Sequence, residues 1–191
     1  MNPQPRYHGI IIGVDHLDHP GPFAMLSGCV NDALAFHDQL RKLVPIEEEH
    51  SQLLLAPRAG RSGPPLPARF QDARVDTIRA AFRRTAEQVQ PGDHVIVFYA
   101  AHGAALRHGE STRYTLVPQD FRVDFDDPAA LRTALTTAEL NALLRRLTRQ
   151  ATASVFADTC HSAFSTRGRA RGRSVALTAL TPEQWRRLAA L

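Results

Sequence analysis

The chain predicts a three-layer α/β/α sandwich with a mainly parallel central sheet. Three observations lead there. Short apolar runs alternate with amphipathic stretches along most of the chain, which is the pattern of strand–helix–strand units. Two of the runs, in Asp93-His-Val-Ile-Val-Phe-Tyr-Ala-Ala-His-Gly103 and Ala153-Ser-Val-Phe-Ala-Asp-Thr-Cys-His-Ser162, are short strand-like apolar sequences that stop at polar residues. The length of 191 residues suits one domain with a single core.

The elements follow in order. Gly9-Ile-Ile-Ile-Gly-Val-Asp15 reads as a buried parallel strand, and His16–Phe23, with two prolines, as a loop. Val30, Leu34, Phe36, Leu40 and Leu43 approximate helical spacing within a helix over 27–44, and Asn31 and Asp32 near its start are residue types that cap helices. Gln52–Ala56 is a short strand. Residues 57–70 are rich in proline and predict a long, flexible surface insertion carrying Arg58, Arg61 and Arg69. A helix over 75–89 places Ile78, Ala81, Phe82 and Val89 on one side. Pro91-Gly-Asp93 is a turn, and the strand that follows ends near Ala100. Tyr114–Pro118 predicts a short strand, Asp120–Asp127 an acidic loop, and 136–150 a helix opened by Thr136 or Thr137. The Asp158 strand comes next. Ser165–Arg173 alternates four arginines with small residues, as an exposed mobile loop would. Ser174–Ala179 predicts a last strand, and Thr181-Pro182 a last helix.

Composition narrows the function classes. Apolar and charged contents are those of a soluble globular chain, and no apolar run reaches membrane-span length. Met1–Tyr7 has no hydrophobic signal region, so a cytoplasmic location is expected. The two cysteines, Cys29 and Cys160, do not make a disulfide framework. The net charge of +4 is carried by 22 arginines and one lysine, Lys42. These are scattered without interleaved aromatics, which disfavours nucleic-acid binding.

The chemistry collects at two strand ends. In an open parallel sheet, functional groups sit beyond the carboxyl ends of the strands. If the strands ending at Ala100 and Asp158 are neighbours, His102 and Cys160 lie side by side there. A neighbouring imidazolium raises the thiolate fraction of a cysteine, whose free pKa is about 8.5. The thiolate is the nucleophile, and backbone N–H groups after a strand end can receive the oxyanion it generates. Read alone, Cys160 could equally be a small buried hydrophobe. Cys29, at a helix start among core residues, reads as structural. Asp32 could serve the helix N-terminus, and Asp158 a local turn. His161 reads as a structural neighbour. His16 and His19 beside Asp15 and Asp18 lack a second ligand cluster, so no metal is assigned.

Five motifs occur in series: Ile-Ile-Ile-Gly-Val-Asp (10–15), Leu-Ser-Gly-Cys-Val-Asn-Asp-Ala (26–33), Phe-Tyr-Ala-Ala-His-Gly (98–103), Leu-Val-Pro-Gln-Asp (116–120) and Asp-Thr-Cys-His-Ser (158–162). This series resembles the caspase/metacaspase family of cysteine peptidases, in its bacterial branch. The resemblance implies a caspase-like fold in a single peptidase domain over 1–191. Residues 9–162 would be the large-subunit-like core, 163–173 an arginine-rich linker, and 174–191 the start of a small-subunit-like region. The family continues further, so either a short member or a fragment of a longer protein is expected.

The resemblance also implies roles. His102 is the general base and acid, Cys160 the nucleophile, and the N–H groups of Gly103 and Cys160 the oxyanion donors. Asp32 and Asp158 match the acidic pocket with which metacaspases select arginine or lysine, unlike animal caspases, which cut after aspartate. The substrates would be proteins or peptides with basic residues, and an upstream activator or regulatory domain is an expected partner. Arg167, Arg169, Arg171 and Arg173 are candidate self-processing points, with Arg58, Arg61 and Arg69 weaker ones. The same loop can also be read as solvated or as a polyanion contact. Many metacaspases need calcium, and Asp120, Asp124, Asp126 and Asp127 offer oxygen ligands. Against this, Thr136-Thr137-Ala138 stands where those enzymes carry acids, and Arg113 and Tyr114 replace acids before the Leu-Val-Pro motif. No cofactor is therefore expected. Proteases of this branch are associated with defence and cell-death cascades. The rival reading is a non-proteolytic caspase-like scaffold that binds a protein partner.

Overall fold

The computed structural model describes residues 4–108, 110–122, 124, 127–159 and 174–177. The central sheet is fully parallel. Its strands are β1 (Tyr7–Val14), β2 (Ser51–Ala56), β3 (Gln71–Asp72), β4 (His94–Ala100) and β8 (Thr152–Asp158), in the order β3-β2-β1-β4-β8. A smaller sheet contains β5 (Gly103–His108), β6 (Ser111–Leu116), β7 (Leu135–Thr136) and β9 (Ser174–Leu177), in the order β7-β6-β5-β9. The helices are α1 (Cys29–Leu43), α2 (Val75–Gln88), α3 (Pro128–Leu131) and α4 (Thr137–Leu147).

Strand alternation sorts the core into two layers. Ile11, Leu53, Leu55, Phe98 and Ala100 face α1, where Cys29, Val30, Ala33 and Leu40 are buried. Ile10, Ile12, Leu54, Val95, Val97 and Tyr99 face the other way, against Ile78 and Phe82 of α2 and Leu140, Leu143 and Leu147 of α4. One helix on one face and two on the other make the expected three layers. Arg79 ties α2 to α4 through a forked pair with Glu139, at 2.7 and 3.0 Å.

Gly13 sets how closely α1 approaches β1. A Cβ there would lie 2.7 Å from the Cys29 carbonyl oxygen, 2.8 Å from Ala33 Cβ and 3.0 Å from Val30 Cα. Two of these neighbours are backbone atoms, so the helix itself would have to move. Gly13→Ala is expected to cost about 1–3 kcal/mol, as overpacking does. Thermal unfolding reads it, and an unchanged midpoint would refute this close-approach reading.

Several expectations need correction. Asn31 and Asp32 do not cap α1. Cys29 is already helical, so they stand third and fourth in the helix, and no side chain of the Gly28 cap position serves its N–H groups. Insertion 57–70 lies at the surface but is tied down. Asn31 Nδ2 donates to the Ser62 carbonyl at 2.9 Å, and Arg61 Nη1 donates to Asn31 Oδ1 at 2.8 Å. Strand β5 and helix α3 were not expected, because Gly-Ala-Ala-Leu-Arg-His has little β propensity and four residues carry no periodicity. Thr136 is the cap that opens α4, accepting from Glu139 N–H at 3.2 Å. The strand expected at 174–179 is observed as Ser174–Leu177 and joins the smaller sheet, parallel to β5. The helix expected from Thr181 lies outside the described residues.

Candidate active site

Register decides what meets at the carboxyl edge of the central sheet. β4 and β8 are parallel neighbours, with Phe98 opposite Phe156 and Ala100 opposite Asp158. The chain therefore leaves both strands at the same level. His102 follows two residues beyond Ala100, and Cys160 follows two residues beyond Asp158. Cys160, His161 and the loop arginines Arg167, Arg169, Arg171 and Arg173 lie outside the described residues.

His102 is buried, at 6% exposure. Its Nε2 lies 2.6 Å from the carbonyl oxygen of Ala24. A carbonyl only accepts, so Nε2 carries the proton. In the neutral ring, Nδ1 is then the basic nitrogen. Phe23 packs beside the ring, with centroids 5.2 Å apart, and is itself braced edge-on by Phe121. The His102 carbonyl accepts from Val117 N–H at 3.1 Å, which fixes the backbone where β4 gives way to β5. Gly103, the next residue, opens β5 opposite Leu116.

The two carboxylates are placed by aromatic packing. Phe36 of α1 stacks on Phe98, with centroids 4.4 Å apart, and touches Phe156 at 5.2 Å. Asp32 lies four residues before Phe36, on the same helix face one turn nearer the carboxyl edge. Asp158 lies two residues after Phe156, on the same strand face and one step nearer that edge. The helix runs antiparallel to the strands, so both displacements go the same way. Asp32 and Asp158 are both exposed there.

Asp15, just after β1, is a buried acid to which the sequence reading gave no role in the helix that follows. It is 2% exposed, and its carboxylate accepts from Cys29 N–H at 2.9 Å and from Val30 N–H at 3.4 Å. It does the work of the missing cap. Burial pushes its pKa up, opposed by those two N–H groups and by the nearby charges of Arg58 and Arg61. The only sequence signal was an acid directly after an apolar strand. The Ala24 carbonyl had none, since any residue offers one.

Other acids are engaged in the fold. Asp120 Oδ1 accepts from Val75 N–H at the start of α2, at 2.9 Å. Asp127 caps α3 and pairs with Arg122 at 3.0 Å. His16 Nε2 stands 3.7 Å from Asp18 Oδ1. Among the described residues, the group whose ligand atoms converge enough for a cation is Glu47, Glu49 and His50, within 4.8 Å of one another. It precedes β2, at the opposite end of the sheet from His102. No helix among the described residues is long and apolar enough to cross a membrane.

The comparisons agree with this architecture. The crystal structure of protein GSU0716 from Geobacter sulfurreducens superposes with a TM-score of 0.65 at 18% identity, over 97% of this chain. The match spans 63% of that structure's length. No curated protein matches. The family model for the metacaspase, peptidase C14 domain matches residues 8–166. The chain belongs to the metacaspase family of caspase-like cysteine peptidases.

Proposed function

We propose that the protein is a cysteine endopeptidase that cleaves after arginine or lysine through His102 and Cys160. The observation that supports this is the parallel register of β4 and β8, which ends the strands preceding these residues at one edge and one level, with Ala100 opposite Asp158. Cys160 attacks the scissile carbonyl as a thiolate. The N–H groups of Gly103 and Cys160 receive the oxyanion, and removing such a donor typically costs on the order of 100-fold in rate. The carbon–nitrogen bond then breaks, and the His102 imidazolium gives its Nδ1 proton to the leaving amine. Water, deprotonated by the same nitrogen, hydrolyses the thioester and frees the thiol. The Ala24 carbonyl supports this cycle by holding Nε2–H, which keeps Nδ1 turned to proton transfer.

Asp32 and Asp158 serve as the pocket for a basic side chain. Two carboxylates favour a guanidinium by charge-assisted hydrogen bonds and repel an acidic residue. The arginines at 167, 169, 171 and 173 are then substrates in the chain's own loop, and cleavage there would switch or release the segment that follows. Defence or cell death is the setting that the family suggests. Calcium enters as a variable to be measured.

The test is cleavage of fluorogenic peptides ending in Arg, Lys or Asp by wild type, Cys160→Ala, Asp32→Ala and Asp158→Ala, with and without calcium. Cleavage after Arg should vanish in Cys160→Ala. In each aspartate variant, KM for the Arg peptide should rise by about ten- to a hundredfold, the scale of one charge-assisted contact at about 1.5–3 kcal/mol. Preference for Asp would refute the pocket and leave the pair of catalytic residues standing. No cleavage under any condition would move the protein-binding scaffold to first place.

A further inference from the structure

The loop over residues 15–28 joins the end of β1 to the start of α1. It touches the site twice. Phe23 and Ala24 hold His102, and the helix it leads into carries Asp32. Asp15 closes the base of this loop. Its backbone N–H donates to the Ala56 carbonyl at 3.0 Å, and its own carbonyl accepts from Leu26 N–H at 3.3 Å. Its carboxylate closes the other side through Cys29 and Val30 N–H. One residue therefore anchors both ends of the segment between it and the helix.

A fully capped helix would not need this. Gly28 supplies no side chain, so the first N–H groups of α1 depend on a carboxylate from another element. Burying an ionised carboxylate is expensive unless donors and counter-charges surround it. Here they do. Arg58 and Arg61 supply positive charge nearby, and Arg61 is itself held by Asn31 in the first turn of α1. The insertion, the strand end and the helix start thus converge on one group.

We propose that Asp15 is a positioning residue of the active site: by fastening the start of α1 to the end of β1, it sets both the Ala24–His102 hydrogen bond and the location of Asp32. The proposal rests on the peptidase reading for what the site does, but not for the geometry it claims. Loss of the carboxylate lets loop 15–28 widen. Ala24 then withdraws from Nε2, and the helix turn that bears Asp32 frays. A shift of about 1 Å in a catalytic group can cost on the order of 100-fold.

The experiment uses the full chain with Asp15→Ala, Asp15→Asn and Asp15→Glu. Nitrogen-15 and carbon-13 resonances of the His102 ring report its tautomer, and steady-state cleavage of an arginyl peptide reports kcat and KM. Spectra are taken at a pH high enough for the ring to be neutral, where the wild type should show the Nε2–H tautomer. Asp15→Ala should show a tautomer mixture, with kcat lowered and KM raised, together on the order of 100-fold in kcat/KM. Asp15→Asn keeps one acceptor for Cys29 N–H and should stay close to wild type in the tautomer signal. If Asp15→Ala does not fold, Asp15→Glu decides. It keeps the charge, displaces the carboxylate by one methylene, and should perturb the same resonances. A lower melting temperature with an unaltered His102 signal and unaltered KM would overturn the proposal. A wild type that cuts no peptide would refute the peptidase reading alone, since the tautomer signal still decides the role of Asp15.

Discussion

His102→Ala is expected to lower kcat/KM for an arginyl peptide by about a thousandfold, within the range for removing a general acid–base group. The loss has two origins. Without the imidazolium, the thiol of Cys160 returns to an ordinary pKa of about 8.5, so only a few per cent is thiolate at neutral pH. Without its proton, the amine must leave as a poor leaving group. The first origin predicts a pH signature. Residual activity of His102→Ala should climb by about tenfold per unit until the thiol ionises near its ordinary pKa, whereas wild type should be flatter over that range. The ring's contacts include a hydrogen bond to Ala24 and packing on Phe23, so the fold of the variant is read by thermal melting beside the kinetics. Undiminished cleavage by a folded His102→Ala would remove this residue from the mechanism.

Asp93→Ala should destabilise the fold by about 3–5 kcal/mol, the scale for removing one partner of a buried charged network. Asp93 lies at the start of β4, on the edge of the sheet away from His102, and is 3% exposed. It accepts from Arg6 N–H at 2.9 Å, Arg6 Nη2 at 3.0 Å, Gln90 N–H at 2.9 Å and the fully buried His8 at 3.2 Å. Alanine leaves all four donors without this acceptor. Burial opposes the charge of Asp93, yet the N–H groups of Arg6 and Gln90, His8 and the Arg6 side chain outweigh it and hold the carboxyl well below the usual carboxylate range. With the folded pKa depressed, the stabilisation is complete above the unfolded value near 4. It drains as pH falls below that value. Acid unfolding of wild type should therefore be steeper than that of Asp93→Ala. The exposed Asp38–Lys42 pair is the control, and Asp38→Ala should cost less than about 0.5 kcal/mol. Equal melting of Asp93→Ala and wild type would refute the network's importance.

Much of the architecture was legible because it is written in period and composition. Ile10–Ile12 and Val95–Phe98 are apolar on consecutive residues, as in strands covered on both faces, whereas β8 leaves one face open, with Phe156 49% exposed. The place of His102 followed from that, since chains leaving parallel strands turn at the carboxyl edge. The order and spacing of the five motifs were equally local facts, and the metacaspase match over 8–166 rests on the same residues.

Other features depend on contacts between residues far apart in sequence, and no local pattern encodes them. Asn31 looked like a cap and instead latches the insertion. Its position in the helix was settled by where Cys29 docks on Gly13. Asp15 looked like the end of a strand and instead caps a helix fourteen residues later.

The sequence by itself determined the three-layer α/β plan, the family and the identity of the candidate nucleophile, base and pocket acids. These are carried by residue type, and residue type is visible in a string. Only the tertiary structure decided that β4 and β8 are neighbours in a register that sets Ala100 against Asp158. It alone decided that Phe36 packs on Phe98 and Phe156, and that a backbone carbonyl holds the His102 ring. The physical reason is that register and helix placement minimise the energy of the whole core at once. A carbonyl's role is set by where the chain passes, whatever side chain it bears.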